Sequence, residues 1–320
     1  MEYRLLGATG LKVSEIGFGA WGIGGNNNGA MAYGSTDDRE SKRALRRAFE
    51  LGVTFYDTAD FYGFGHSEKL IGEALADVRS QAVIASKVGL LDANGNHDFS
   101  AEHIRRSIEG SLRRLRTDYI DLYQLHSPPI NVLGYNDEWF SVLHSLKTGG
   151  MVRALGISVR TPDDALVAIK KFSFNCIQVN FNLVDQRALE IGLFSECEKA
   201  NVGLIVRTPL CFGFLTGGYS PDTQFDVSDH RMRWSAAQRK RWSEAHELFE
   251  KSGVALGDQT PAHFALRFCL SYSVVSTVIP GMLNVEQVEE NISASGLKAL
   301  SDFQLRKIET IYQQNEFFLR

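Results

Sequence analysis

The sequence of 320 residues has little cysteine and no large excess of either charge. Its four cysteines, Cys176, Cys197, Cys211 and Cys269, form no C-x-x-C pair and show no spacing with histidine that would predict a metal or redox site. We therefore expect buried thiols in a reducing compartment and no bound metal.

Long apolar runs are also missing. No stretch approaches the ~18–20 residues that a bilayer-spanning helix needs, and charges interrupt the first residues, MEYRLLGATGLKVS, where a signal peptide would be apolar. A net charge of −4 gives no reason to expect a nucleic-acid partner. With 44% hydrophobic residues the chain is expected to fold, and we expect a cytoplasmic enzyme with no membrane contact.

Strand-like and helix-like segments alternate along the chain. Residues 3–6 and 12–13 predict a small hairpin. Eight short apolar runs follow, typical of strands buried on both faces. These predicted strands are residues 16–19, 54–57, 82–87, 120–126, 154–158, 176–180, 203–207 and 275–279.

Helices are predicted between these strands. Thr161, followed by a proline and by Asp164, is typical of a capped helix start, and residues 301–320 have a helical pattern expected to pack outside the main fold. No linker or low-complexity tract interrupts the chain, so one domain over residues 1–320 is expected. Two architectures fit the alternation, a closed barrel and an open doubly wound sheet.

The predicted strands end in polar side chains that packing alone does not require. In barrels, active sites lie where strands end and helices begin, so these positions are the candidates for chemistry. They are Asp57, Lys87, His126, Ser158, Asn180 and Arg207.

Residues 17–22, GFGAWG, match the glycine pattern G-x-G-x-x-G after a strand. A dinucleotide fingerprint also requires a helix to begin there, because the helix N-terminus binds the pyrophosphate. A Gly/Asn-rich segment without helical period follows instead. We favour a loop over the mouth of a barrel, with Trp21 as a pocket wall.

Reduction of a carbonyl needs a hydride at carbon and a proton at oxygen. A tyrosine of pKa ~10 is too weak an acid at neutral pH unless an adjacent ammonium lowers that pKa. The ammonium in turn needs a carboxylate partner, and one further donor stabilises the developing alkoxide. Such a site requires Tyr, Lys, Asp and one more hydrogen-bond donor.

The chain contains these residue types in segments that follow the order of a known enzyme family. DTADFYG at 57–63, ASK at 85–87 and QLH at 124–126 resemble the signature blocks of the aldo-keto reductases. Matching segments also occur at 4–22, 156–158, 178–180, 215–217, 279–281 and 290–291, so the resemblance covers nearly the whole chain. It implies a (β/α)8 TIM barrel with an N-terminal β-hairpin and a C-terminal extra helix. It also implies an NAD(P)H-dependent oxidoreductase that reduces an aldehyde or ketone.

The resemblance assigns a role to each catalytic candidate. Tyr62 would be the general acid, Lys87 would lower its pKa, Asp57 would pair with Lys87, and His126 would orient the carbonyl and donate to its oxygen. A histidine there, where steroid double-bond reductases of the family have glutamate, favours C=O over C=C reduction. Trp21, Tyr62 and His126 would contact the substrate.

NADPH or NADH is the implied cofactor. Ser158 and Gln178 would bind the carboxamide, the segment 210–217 would lie over the pyrophosphate, and Glu290 and Asn291 would contact adenine. The full implied set is Ser158, Gln178, Arg207, Thr208, Leu210, Gly213, Leu215, Thr216, Gly217, Gly281, Leu283, Gln287, Glu290 and Asn291.

Three departures from the family pattern stand out. Val159 follows the carboxamide serine where asparagine is common, and Arg207 lies where an aromatic ring often stacks on the nicotinamide. Leu283 and Gln287 occupy positions where a basic residue usually pairs with the 2′-phosphate of NADPH. A phosphate without that partner loses ~1.5–3 kcal/mol, which predicts a weakened preference for NADPH and use of NADH.

Two rival functions stay open: a non-catalytic nicotinamide-binding regulatory subunit of the same fold, and a barrel isomerase or hydrolase without nicotinamide. Residues 22–35, 90–99 and 127–138 are the candidate substrate loops. Hydroxyl contacts from Asn26–Asn28 would suit a sugar-like carbonyl substrate, which we slightly favour; the oligomeric state is not predicted. Aromatic candidates for the pocket wall are Trp21, Tyr33, Phe61, Trp139 and Phe212.

Overall fold

The chain begins with a two-stranded hairpin. The computed structural model describes residues 1–26, 31–130, 133–134, 138–254 and 259–319. Strand β1 (Tyr3–Leu5) pairs antiparallel with β2 (Lys12–Ser14). Gly7, at φ +51°, follows β1, and a Cβ there would lie 2.1 Å from the backbone nitrogen of Gly203. This close approach packs the hairpin against one end of the main sheet.

Eight parallel strands in sequential order form the main sheet within the described residues. Its two edges join through parallel bridges, Ile16 to Val278 and Gly19 to Gly281. The sheet is therefore a closed barrel, as predicted, and the open doubly wound alternative is wrong. The strands are β3 (Phe18–Gly19), β4 (Phe55–Asp57), β5 (Val83–Val88), β6 (Ile120–His126), β7 (Val152–Ser158), β8 (Cys176–Asn180), β9 (Gly203–Arg207) and β10 (Val275–Ile279).

Helices surround this barrel and connect its strands. Thr161 and Asp164 form the predicted capping box at the start of the helix Pro162–Lys171, and Asn284 accepts from the backbone N–H of Gln287 at the start of the helix Val285–Ser293. The helices are α1 (Asp38–Glu50), α2 (His66–Ala74), α3 (Ala101–Leu115), α4 (Glu138–Thr148), α5 (Pro162–Lys171), α6 (Arg187–Glu190), α7 (Leu193–Ala200), α8 (Ala236–Ser243), α9 (Ala245–Lys251), α10 (Pro261–Leu270), α11 (Val285–Ser293) and α12 (Asp302–Gln314).

Apolar side chains are divided between two layers. The larger layer lies between barrel and helices, and a smaller one fills the barrel interior. In the interior, residues from β4 to β10 meet Leu6 and Val13 of the hairpin, which closes that end. Polar strand ends are therefore confined to the opposite end of the barrel.

Two local expectations need correction. The predicted C-terminal helix over 301–320 ends at Gln314, and Phe317 beyond it packs against Phe249 of α9. The Gly/Asn segment expected to have no helical character contains a buried 3-10 turn, Gly22–Gly24. Within the described residues, no helix combines the length and apolar character that crossing a membrane requires.

Candidate active site

The carboxyl ends of the barrel strands bring the predicted catalytic residues together. Asp57 ends β4, Lys87 lies near the end of β5, and His126 ends β6. Tyr62 follows in the turn between β4 and α2. Because parallel strands end at the same rim, residues far apart in sequence become neighbours there.

Lys87 is fully buried at the centre of this group. Its ammonium donates to Asp57 Oδ1, to the carbonyl of Thr58 at 2.9 Å and to the Tyr62 hydroxyl at 3.0 Å. It also lies 4.6 Å from the centre of the Tyr62 ring. The three acceptors compensate a buried cation that would otherwise be unstable.

Asp57 accepts from three side chains. Besides Lys87, the amide nitrogens of Gln178 and Gln124 donate to Asp57 Oδ2, at 2.7 and 3.3 Å. The sequence did not predict a role for Gln124, and it placed Gln178 at the cofactor carboxamide. In the structure Gln178 uses its amide N–H to orient the carboxylate, which in turn orients Lys87.

Two opposing effects act on the Tyr62 phenol. Burial raises its pKa above 10, and the adjacent Lys87 ammonium opposes that shift. Burial favours the neutral form of Lys87, but Asp57 and Tyr62 outweigh it and raise the lysine pKa. At neutral pH the site therefore contains a charged ammonium and a protonated phenol, the form needed to give up a proton during reduction.

His126 is neutral at this position. Burial lowers its pKa well below 6.5, and the cations Lys87 and Arg207 lower it further. Its ring packs edge-on against Tyr62 and Phe61, and its Nδ1 is buried without a partner in the described part of the chain. A neutral imidazole can still donate one N–H to a substrate oxygen.

Arg207 occupies the same rim at the end of β9. Its guanidinium donates to Asn180 Oδ1 at 2.6 Å, to Ser158 Oγ at 2.6 Å and to the Val159 carbonyl at 2.7 Å. Burial lowers its pKa, opposed by Tyr62 and Asp57, but a guanidinium keeps its charge. Ser158, the predicted carboxamide contact, is thus bonded to Arg207.

A cavity of about 470 Å³ opens over these residues. It extends from the catalytic group to Glu290 and Asn291 on α11. Of the predicted residues, Lys87, Ser158, Leu215 and Gly217 lie outside its wall. The predicted residues in the wall are Trp21, Asp57, Tyr62, His126, Gln178, Arg207, Thr208, Leu210, Gly213, Thr216, Gly281, Leu283, Gln287, Glu290 and Asn291.

The aromatic candidates divide into two groups. Trp21, Tyr33, Phe61 and Phe212 line the cavity. Trp139 does not, because it lies in α4 and packs against Phe140, Phe172 and Phe174 between helix and barrel. Asn26 donates to Ser228 Oγ rather than into the cavity, and Asn27 and Asn28 lie outside the described residues.

The segment after β9 has an unusual backbone. Thr208, Cys211 and Phe212 have φ of +54°, +45° and +58°, in the left-handed region that non-glycine residues rarely occupy. Such strain clusters where the backbone is shaped for function. The segment borders the cavity where the resemblance placed the pyrophosphate.

The sequence did not predict the part of the cavity wall that packs against this segment, where the Phe212 ring lies 5.2 Å from the His230 ring. His230 and Arg231 line the cavity there, and the backbone N–H of His230 donates to the Ala32 carbonyl. Arg231 is paired with Asp229 and donates to the Tyr219 hydroxyl at 2.6 Å. No local motif marks these residues, because their position depends on a contact between two distant loops.

The glycines of residues 17–22 have a packing role. A Cβ on Gly19 would lie 2.6 Å from the Ile279 carbonyl oxygen, and a Cβ on Gly17 would lie 2.9 Å from the Phe55 ring. Glycine is thus required where the first strand closes the barrel against the last. This agrees with the prediction that the motif is not a dinucleotide fingerprint.

Asp60 provides a prediction about stability. Its Oδ1 is buried without a partner among the described residues, and burial, reinforced by Glu68, raises its pKa from 3.8 to about 8. Between these values the folded protein carries a proton that the unfolded chain has lost, so stability falls as pH rises from 4 to 8. We expect Asp60→Asn to unfold much like wild type at pH 4 and to be more stable by several kcal/mol at pH 9, because each pKa unit between the folded and unfolded states corresponds to about 1.4 kcal/mol.

Urea unfolding of both proteins at the two pH values tests this. A variant that is less stable than wild type at pH 9 would show that Asp60 is ionised and needed as a carboxylate.

Comparison with known proteins identifies the family. The sequence model described as Aldo/keto reductase family matches residues 15–313. The chain belongs to the aldo/keto reductase family. Aldo-keto reductase YhdN of Bacillus subtilis is 30% identical over 98% of this chain and 94% of its own length. The NADH-specific methylglyoxal reductase of Escherichia coli is 30% identical, covering 93% and 94% of the two chains.

A solved aldo/keto reductase has the same fold. Aldo-keto reductase AKR11C1 from Bacillus halodurans, in its holo form, superposes with a TM-score of 0.80 at 30% identity, over 97% of this chain and 96% of that one. The protein is thus an NAD(P)H-dependent oxidoreductase of the aldo/keto reductase family that reduces carbonyl compounds.

The residues present fit a nicotinamide dinucleotide. The cavity wall includes both a group suited to carbonyl chemistry, at Tyr62 and His126, and the polar side chains of Glu290 and Asn291 on α11. Within the described residues, no three His, Cys, Asp or Glu side chains are arranged to bind a metal.

Proposed function

We propose that this protein reduces a small aldehyde or ketone to the alcohol, with Tyr62 as the proton donor. The observation that carries the proposal is the Lys87 ammonium, which bonds Asp57 and Tyr62 together beside His126. A regulatory subunit needs no such group, and the match of residues 15–313 to the aldo/keto reductase family argues against a barrel isomerase or hydrolase.

The mechanism follows from the charges. A reduced nicotinamide, when bound in the cavity, would be the source of the hydride that the carbonyl carbon receives. His126 donates an N–H to the carbonyl oxygen and orients it toward Tyr62. Tyr62 then transfers its proton to that oxygen, and the phenolate that forms is stabilised by Lys87, 3.0 Å away. Asp57 keeps Lys87 charged throughout.

Turnover tests the proposal. The protein is mixed with NADH or NADPH and a panel comprising methylglyoxal, an aromatic aldehyde and an aldose, and loss of the reduced cofactor's ultraviolet absorbance is followed. We expect reduction of at least one substrate. Tight cofactor binding without any turnover would contradict the proposal and favour a regulatory subunit.

We further propose that the protein uses NADH at least as well as NADPH. Leu283 and Gln287 line the cavity together with Glu290 and Asn291, where the adenine would bind. The Gln287 side-chain oxygen already accepts a hydrogen bond of 2.8 Å from the backbone N–H of Leu283. The cations in the described cavity wall, Arg207 and Arg231, are both bonded elsewhere. Glu290, at the same end, would repel a 2′-phosphate.

A substitution tests this preference. We expect Leu283→Arg to lower the Kd for NADPH by about 10-fold, the effect of one charge-assisted hydrogen bond, and to leave the Kd for NADH within about 3-fold. Leu283→Met is the uncharged control and should change neither. Fluorescence titration measures both constants, and an unchanged NADPH affinity in the arginine variant would place the 2′-phosphate elsewhere.

A further inference from the structure

We infer that Arg207 makes the protein bind the reduced cofactor more tightly than the oxidised cofactor. Arg207 would act where the nicotinamide binds, in the part of the cavity beside Tyr62 and His126. This inference rests on the proposed function, because it concerns the same cavity. It does not depend on the identity of the carbonyl substrate.

All the hydrogen-bond acceptors of Arg207 are neutral. They are the amide oxygen of Asn180, the hydroxyl of Ser158 and the carbonyl of Val159, at 2.6, 2.6 and 2.7 Å. Three bonds in different directions fix the guanidinium at the cavity wall. They satisfy its N–H groups but leave its charge uncompensated.

The carboxylates that act electrostatically on Arg207 are paired with other cations. Asp57 and Asp185 both interact electrostatically with Arg207. Asp57 is already paired with Lys87, and Asp185 accepts two bonds of 2.7 Å from Arg187. Among the residues that the structure describes, none forms an ion pair with Arg207. The catalytic end of the cavity therefore carries about one net positive charge, since Lys87 and Asp57 cancel.

This charge acts differently on the two cofactor forms. The oxidised nicotinamide ring carries a positive charge, and the reduced ring is neutral. The ring must lie beside Tyr62 and His126, because hydride passes directly to the carbonyl carbon. Arg207 lines the same wall and repels only the oxidised ring. At separations of several ångströms and intermediate dielectric, such repulsion weakens binding roughly 10–100-fold.

The charge of Arg207 is expected to affect release of the oxidised cofactor. An oxidised cofactor that binds weakly leaves quickly after each turnover, and it competes little with the reduced form. Arg207 thus limits inhibition by the oxidised cofactor. The same charge opposes formation of the oxidised ring, so hydride transfer on the enzyme is less favourable than it would be without Arg207. Arg207 acts through the electrostatic effect of its guanidinium on the nicotinamide ring, and it takes no part in proton transfer.

Binding measurements on wild type and two variants test the inference. The Kd of NADH comes from fluorescence titration and that of NAD+ from competition. Arg207→Met removes the charge and Arg207→Lys retains it, with thermal unfolding as a check on folding. We expect the ratio of the NAD+ to the NADH constant to fall about 10-fold or more in the methionine variant and to stay within about 3-fold of wild type in the lysine variant. Equal ratios in wild type and Arg207→Met would overturn the inference.

A measurement on wild type alone covers the case in which the methionine variant does not fold. ADP-ribose lacks the nicotinamide ring, so we expect NADH to bind more tightly than ADP-ribose and NAD+ to bind no more tightly. Equal affinity for NADH and NAD+ would overturn the inference. Failure to bind either dinucleotide would overturn the proposed function, and the inference with it.

Discussion

Replacing Tyr62 by phenylalanine is expected to lower kcat by about 10²–10⁴-fold, the range that a positioned general acid contributes. The variant loses only the hydroxyl that Lys87 contacts at 3.0 Å. Its ring can keep the edge-on contact with His126, so the fold and cofactor binding should persist. Steady-state kinetics with the best carbonyl substrate measures the loss, and the Kd for NADH should stay within about 3-fold of wild type.

A matched tyrosine distinguishes this effect from general damage. Tyr3 is exposed at the opposite end of the barrel, and its hydroxyl donates to the Gly52 carbonyl at 3.0 Å. Tyr3→Phe should therefore leave kcat unchanged. If Tyr62→Phe kept more than about a tenth of the wild-type rate, another group would have to supply the proton.

Replacing Lys87 by methionine is expected to damage both catalysis and stability. The ammonium is fully buried and bonds Asp57, Thr58 and Tyr62. Without it the Asp57 charge stays buried with only the amides of Gln178 and Gln124, and removing one partner of a buried ion pair costs about 3–5 kcal/mol. We expect the free energy of unfolding to fall by that amount, together with a rate loss comparable to that of Tyr62→Phe.

A double variant separates the two losses. Asp57→Asn with Lys87→Met removes both charges, so much of the lost stability should return while activity stays absent. Lys42→Met is the surface control, because Lys42 is 41% exposed in its pair with Glu73, and it should cost less than about 1 kcal/mol. A Lys87→Met protein as stable as wild type by denaturant unfolding would mean that the buried pair is not charged.

The sequence predicts this architecture well because its signals are local and repeated. Short apolar runs mark the strands, and polar residues such as Asp57 and His126 mark their ends. Once the strands are parallel and close into a barrel, those ends must meet at one rim. The order of the motifs was sufficient for the family and for the group around Lys87.

Side-chain direction was harder to predict. Gln178 donates to Asp57 across the barrel. Arg207 on β9 donates to Asn180 on the neighbouring strand and to Ser158 two strands away. These hydrogen bonds depend on side-chain rotamers and join residues that are distant in sequence. The resemblance therefore assigned Ser158 and Gln178 to the cofactor, but it could not show that they bond to Arg207 and Asp57.

The other differences between the predicted and the observed cavity wall come from contacts between loops and from the direction in which a helix residue points. The cavity wall at His230 and Arg231 forms only because residues near Ala32 approach it. Trp139 was a candidate for the pocket because of its aromatic ring, but its position in α4 turns it toward Phe172 and Phe174. Neither outcome follows from composition or spacing.

Direct transfer of hydride from cofactor to carbonyl is the central claim, and an isotope label tests it most directly. The protein is incubated with a carbonyl substrate and reduced nicotinamide dinucleotide that carries deuterium at the transferred position, and the alcohol is analysed by mass spectrometry. We predict an alcohol with one deuterium on the former carbonyl carbon, and almost no product from Tyr62→Phe. An alcohol without deuterium, or labelled product formed equally well by that variant, would contradict the mechanism.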